Sequence, residues 1–191
     1  VPVTARTARG AVIAALLFVG CAGCGGGSAP APGAPTGPTT SAPAAVTVTS
    51  SAFAAGAQIP GRYTCAGAGD APPLAWAGAD PAKPLALVVD DPDAPGGTFV
   101  HWVVLDLPPG TASLPSATAV PAGAHQATNS AGAAAWAAPC PPSGTHHYRF
   151  TVYVLSAPTR LGDGVDKSDA EAAIQRLAAA SGQLVGVVTS N

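Results

Sequence analysis

The chain has 191 residues, 48% of them hydrophobic and only 9% charged, with a formal net charge of -2. There is no basic footprint, which excludes a nucleic-acid partner, and the apolar content excludes ordinary disorder as the state of the whole chain. The 23 glycines and 21 prolines cluster rather than spread, so one loop-rich domain with a flexible arm is expected, at a length that suits a single domain of roughly 100–200 residues.

The first segment, VPVTARTARG, carries Arg6 and Arg9 and no acid, and the apolar run AVIAALLFVG follows it. That run is shorter than the ~20 residues a membrane span needs, and the layout is that of a secretory signal peptide over residues 1–20. It ends in FVGCAGC, which resembles a bacterial lipobox. Cys21 fits as the lipidated residue, with Cys24 as the alternative. A CxxC redox or zinc pair is the competing reading, and the lack of a second CxxC disfavours it. Residues 21–45 then supply the lipidated cysteine and an uncharged Pro/Gly/Ser/Thr tether that has no core to bury. The expected location is the outer face of a bacterial cell membrane, reached by export and held through the lipid.

From residue 46 to 191 the pattern is that of a folded domain. AVTVTSSAF alternates like a strand. LALVVD (85–90), VHWVVLDL (100–107) and HYRFTVYVL (147–155) are continuous apolar runs, as strands buried on both faces require. GQLVGVV (182–188) is the last strand. Turn chemistry separates them in DPDAPGG, LPPGT and PCPPSGT. One helix is predicted, from a capping box of Ser168 and Glu171 to a stop at Gly182, with Ala170, Ala173, Ile174, Leu177 and Ala178 as its apolar stripe. The domain is therefore read as mainly β with few helices.

Three features carry candidate chemistry. Asp90, Asp91 and Asp93 crowd the end of a buried strand in a charge-poor chain, and two X-Pro bonds stiffen the turn around them. They are either turn acceptors or the rim of a ligand site. His101 lies within an apolar strand, where a satisfied core histidine is the commoner outcome. In PPSGTHHYRF, alternation sends His146, Tyr148 and Phe150 to one face and His147 and Arg149 to the other. A metal held by His101, His146 and one aspartate fits by residue type alone, without diagnostic spacing. Neither a metal nor any other cofactor is expected, and no nucleophile elbow, P-loop or H-E-x-x-H motif is present.

Together these stretches resemble the phosphatidylethanolamine-binding protein family, which includes Raf kinase inhibitor-like proteins, in its bacterial branch. The carriers are IPGRYTC, PPLAWAG, LALVVDDPDAPGGTFVHWVV and APCPPSGTHHYRFTVYVL, and the likeness runs from about residue 50 to 188. The resemblance implies an antiparallel β-sandwich with a small anion-binding pocket near one end. Carried over, the ligand-binding residues are Asp91, Asp93, His101, His146 and Tyr148, together with the backbone at Ala138 and Pro139. Ala138 stands where the family has glycine, and His147 where it has arginine. With Cys21 and Cys24 assigned to the lipobox, Cys65 and Cys140 form an even remainder in an exported domain, which suggests a disulfide. Two small buried thiols are the alternative.

The function expected from this is binding of a small anionic or phosphorylated ligand, such as a phospholipid headgroup, by a surface-tethered lipoprotein. No enzyme activity is expected. An inhibitor of an extracytoplasmic protease is the alternative, with no protein partner identified, and a hydrolase using Asp and His ranks last.

Overall fold

In the computed structural model the described residues are 45–116 and 119–190. The predicted signal peptide, both lipobox cysteines and nearly all of the tether lie outside them. Three strands, β1 (Thr47–Thr49), β2 (Leu74–Ala77) and β5 (Ser113–Leu114), form a small antiparallel sheet in the order β1-β2-β5. Five strands form the larger sheet. These are β3 (Leu85–Asp91), β4 (Phe99–Leu107), β6 (His125–Gln126), β7 (Thr145–Leu155) and β8 (Ala178–Thr189), in the order β6-β4-β3-β7-β8. Every pairing in the two sheets is antiparallel. The mainly β reading therefore holds, with one α-helix among the described residues, α1 (Lys167–Leu177), and a short 3-10 turn at Gly61–Tyr63.

The continuous apolar runs have a direct cause, because the large sheet is covered on both faces. On one face Leu85, Leu87, Val89, Trp102, Val104, Phe150 and Val152 pack against Val48, Leu74 and Trp76 of the small sheet. On the other, Ala86, Val88, Val103 and Leu105 pack against Ala170 and Ile174 of α1. Each fully buried Leu, Val or Phe contributes roughly 1.5–3 kcal/mol over an exposed one.

The helix departs from its prediction at both ends. Asp166, not Ser168, is the cap, and its Oδ1 accepts from the Ser168 backbone N–H at 2.8 Å. Ser168 sits one position inside the helix, and its hydroxyl is spent on the same carboxylate. The helix stops at Leu177 instead of Gly182, and Ala178 and Ala180 instead pair with Leu155 and Val154 of β7. A full-length ladder outweighs the helix preference of alanine, a tertiary override of a weak local bias. Gly182 and Gly186 are thus strand residues. A Cβ at Gly186 would lie 2.6 Å from Ile59 Cγ1 and 2.7 Å from the Phe53 ring, so glycine is there for close approach.

Candidate ligand-binding site

β3 and β7 are antiparallel neighbours, with Asp90 directly opposite Arg149. Residues opposite one another share a face, and the next pair points the other way. Arg149 donates to Asp90 through Nε at 2.7 Å and through a terminal nitrogen at 2.5 Å, on the face toward α1. This holds the guanidinium above its ordinary pKa, chiefly through the Asp90 hydrogen bonds. Asp91 turns inward, together with Tyr148 and His146, and all three are buried. His146 Nδ1–H donates to Asp91 Oδ2 at 2.7 Å, while Asp91 Oδ1 accepts from the Asp93 N–H at 2.9 Å. The Asp91 carboxylate thus closes the turn and orients the imidazole at once.

His101 arrives from β4. Its Nδ1–H donates to the Ala137 carbonyl at 2.8 Å. Phe99 and Tyr148 flank its ring, at centroid distances of 4.7 and 5.2 Å. Burial pushes the His101 pKa below its ordinary value, and the Ala137 carbonyl and the charges of Asp91 and Asp90 offset only part of that. Tyr148 is pushed upward, first by burial and then by the charge of Asp91. Both tyrosine and His101 are accordingly neutral near pH 7 in the free site.

These groups meet on a cavity of about 220 Å³, lined by Asp91, His101, His146 and Tyr148 and by the apolar surface of Ala94, Pro95, Phe99, Ala137, Ala138, Cys140, Pro141 and Pro142. That is smaller than the roughly 300–1,000 Å³ of pockets for drug-sized molecules and suits a headgroup. A larger hollow of about 450 Å³ beside β1, β2 and β5 is lined by no titratable side chain, so the chemistry points to the smaller cavity. No buried side-chain nitrogen or oxygen among the described residues lacks a hydrogen-bond partner. Among the described residues the Nε2 atoms of His101 and His146 have no protein partner, so neither is fully buried, and both rings line the cavity. Each imidazole is fixed through Nδ1 and offers Nε2 to whatever enters: an acceptor when the ring is neutral, a donor when it is protonated.

Not every sequence-predicted residue comes to this place. The structure brings together Asp91, His101, His146, Tyr148 and Ala138. Asp93 is elsewhere: its Oδ2 accepts from His147 Nδ1 and from the His147 N–H, at 2.7 and 2.8 Å, on the exposed surface. This pairing holds the Asp93 carboxyl below the usual carboxylate range. Alternation along β7 is the reason, since His147 must face away from His146. Pro139 is buried beneath a neighbouring hollow beside Ile59 and Thr64. Its carbonyl accepts from the Cys65 N–H at 3.0 Å. The Ala138 methyl abuts Gly69, where a Cβ would come within 3.3 Å. His101 fulfils both readings offered for it, a satisfied buried histidine and a cavity-lining one. Cys65 and Cys140 are joined as a disulfide, and neither is buried. Among the described residues no three His, Cys, Asp or Glu side chains are grouped to hold a metal ion. Phe99 was missed, although it stands two residues before His101 and must share its face. Nothing in the sequence marks the Ala137 carbonyl.

A family model described as phosphatidylethanolamine-binding protein matches residues 49–189. A Mycobacterium tuberculosis protein named as a candidate lipoprotein, LppC, is 43% identical over 182 residues, covering 89% of this chain and 90% of its own. From the same organism, UPF0098 protein Rv1910c is 39% identical over 143 residues, covering 74% and 69%. A crystal structure of a candidate phosphatidylethanolamine-binding protein homologue from Chlamydia trachomatis aligns with TM-score 0.72 at 34% identity, covering 77% of this chain and 99% of its own. Escherichia coli YbcL, titled a member of the mammalian family, aligns with TM-score 0.72 at 29% identity, covering 78% and 100%.

Proposed function

The chain belongs to the phosphatidylethanolamine-binding protein family, and from that premise we propose that it is a surface-tethered lipoprotein whose pocket binds a small phosphorylated ligand, preferring one that also carries an ammonium group. The observation that carries this reading is the buried Asp91–His146 pair on the wall of a headgroup-sized cavity that His101, fixed through its Nδ1, also lines. A phosphate needs hydrogen-bond donors, and an imidazole that takes up a proton as the anion binds supplies a charge-assisted one. Asp91 at 2.7 Å supplies the compensating negative charge for such an imidazolium. An isolated carboxylate would repel a bare anion. Beside an ammonium it is attractive, so a zwitterion satisfies both the imidazole and the carboxylate.

Attachment to the outer face of the membrane through Cys21, or alternatively Cys24, is supported by the export-like N-terminal sequence. The similarity to LppC, which extends over 89% of the chain, supports it too.

Calorimetric titration with phosphoethanolamine and with inorganic phosphate tests the pocket. Phosphoethanolamine should bind more tightly. His146→Ala should weaken both by about 1.5–3 kcal/mol, the loss of one charge-assisted hydrogen bond, or roughly ten- to a hundredfold. Absence of heat from either compound at millimolar concentration overturns the reading. For the anchor, Cys21→Ser combined with Cys24→Ser should move the protein out of the membrane fraction, and wild-type fractionation of that variant refutes it.

A further inference from the structure

We propose that the Cys65–Cys140 disulfide is a redox latch on the pocket: a dithiol reductant opens it, the wall formed by residues 137–142 loosens, and the pocket loses its grip on ligand. The inference rests on the ligand-binding reading above but concerns how that site is controlled. Five of the twelve residues that line the cavity, Ala137, Ala138, Cys140, Pro141 and Pro142, come from this one stretch. It lies between β6 and β7 and belongs to no strand.

The way the wall is held explains why the disulfide matters. Three of the five residues from 138 to 142 are proline, and proline has no N–H to give. Among the described residues the one inter-segment backbone hydrogen bond reaching those five is Cys65 N–H to the Pro139 carbonyl, at 3.0 Å. At the start of the wall, Ala137 donates its N–H to the His101 carbonyl at 3.0 Å and accepts from His101 Nδ1 at 2.8 Å. Trp136 Nε1 donates to the Gly69 carbonyl at 2.9 Å. The covalent link from Cys140 to Cys65 therefore fastens a stretch that cannot fasten itself by a ladder. Its loss frees the wall and the carbonyl that sets the His101 tautomer.

The bond is also reachable. Cys65 and Cys140 are both exposed residues, and exposed disulfides belong to the labile, regulatory class rather than the buried, structural one. The exchange balances without further reagents. A thiolate of the dithiol attacks one sulfur to give a mixed disulfide. Its second thiol displaces the protein sulfur, leaving Cys65 and Cys140 as thiols and the reductant as a cyclic disulfide. Two electrons and two protons have passed to the protein.

The test compares the full chain in oxidised, dithiol-reduced and reoxidised form by amide hydrogen exchange and by phosphoethanolamine titration. Cys65→Ser combined with Cys140→Ser serves as the control against the reaction of Cys21 and Cys24. Reduction should speed exchange at Cys65 and Ala137, whose N–H groups bond to Pro139 and His101, at least about tenfold while β7 stays protected. If the closed wall is then occupied about a tenth of the time, affinity falls about tenfold. Reoxidation should restore both, and the double variant should behave like the reduced protein and ignore the reductant. Unchanged exchange at Ala137 overturns the latch whatever the ligand does. Loss of protection throughout β7 overturns it too, because the bond is then a general staple. If the exchange responds as expected but the oxidised protein binds no phosphoethanolamine, the latch stands and the ligand reading falls.

Discussion

Replacing Asp91 by asparagine separates the charge of the site from its shape. Asparagine can keep the turn, since its side-chain oxygen still accepts from the residue 93 N–H as Asp91 Oδ1 does at 2.9 Å. Its Nδ2 then meets His146 Nδ1 as a donor, so the neutral imidazole accepts there, in the opposite tautomer. What goes is the negative charge. A hydrogen bond to a charged group is worth about 1.5–3 kcal/mol and a neutral one about 0.5–1.5, so folding stability should fall by about 1–1.5 kcal/mol. Little of this is screened, because the two side chains are only 8% and 4% exposed. Asp91→Ala should cost about 1–3 kcal/mol more, because a buried N–H is left without a partner.

The consequence for binding is larger and has a sign. A carboxylate about 5 Å from a ligand ammonium, at an effective dielectric of about 20, attracts it by roughly 3 kcal/mol, and desolvation of the ammonium takes back a share. A net loss of about 1.4 kcal/mol is tenfold. Asp91→Asn should therefore narrow the preference for phosphoethanolamine over inorganic phosphate by about tenfold, weakening the first while sparing or strengthening the second. Denaturant titration gives the stability change, calorimetry the two affinities, and nitrogen-15 shifts of His146 report the change of tautomer. A folded variant with an unchanged ligand preference refutes the role given to the charge.

His101 makes the ligand-free domain sensitive to acid. Its folded pKa lies below the unfolded value of about 6.5, so the unfolded chain binds more protons, and stability present above pH about 6.5 should decline as the pH falls below it. His101→Gln should flatten that decline, and thermal unfolding between pH 5 and 8 measures it. Gly186→Ala should destabilise by about 1–3 kcal/mol through overlap with Ile59 and Phe53, read as a shift in denaturant midpoint; a neutral result would mean that the two side chains give way freely. Glu171 is held above its ordinary pKa mainly by burial and next by the charge of Asp90. Asp90→Asn should bring it down in an NMR titration, and an unmoved value rules out that coupling.

The elements most legible in the sequence were those whose burial is two-sided. Residues 85–90 and 100–107 read as continuous apolar runs because the small sheet covers one face of the large sheet and α1 the other. The helix boundaries were less legible. Ala178 and Ala180 prefer a helix locally, and only their ladder partners on β7 decide otherwise. In the site, His146 and Tyr148 followed from alternation on one strand, and Phe99 was available by the same rule. Asp93 was assigned to the pocket because it shares a motif with Asp91, but it lies in the turn beyond β3 and pairs with His147, which alternation on β7 sends to the exposed face. The Ala137 carbonyl had no sequence signal, since a backbone acceptor is open to any residue type and depends on where an irregular loop passes.

That sorting also accounts for three carboxylates in so uncharged a chain. Each has its own partner on β7, and the partners alternate faces as the strand requires: Arg149 for Asp90 on the outside, His146 for Asp91 on the inside, His147 for Asp93 on the outside again. The two outer pairs are at least partly solvent-exposed, so each is worth about 0–1 kcal/mol to stability. The inner pair is sealed from water, where an uncompensated charge is expensive and a paired one must be held in good geometry. A strand end needs only one such pair to furnish a pocket. Flanking it with two surface pairs fixes the register of β3 on β7 over its last residues, and a slip of one residue would turn Asp91 outward and leave His146 buried without its acceptor. The outer pairs therefore serve the site by holding the inner one where the cavity is.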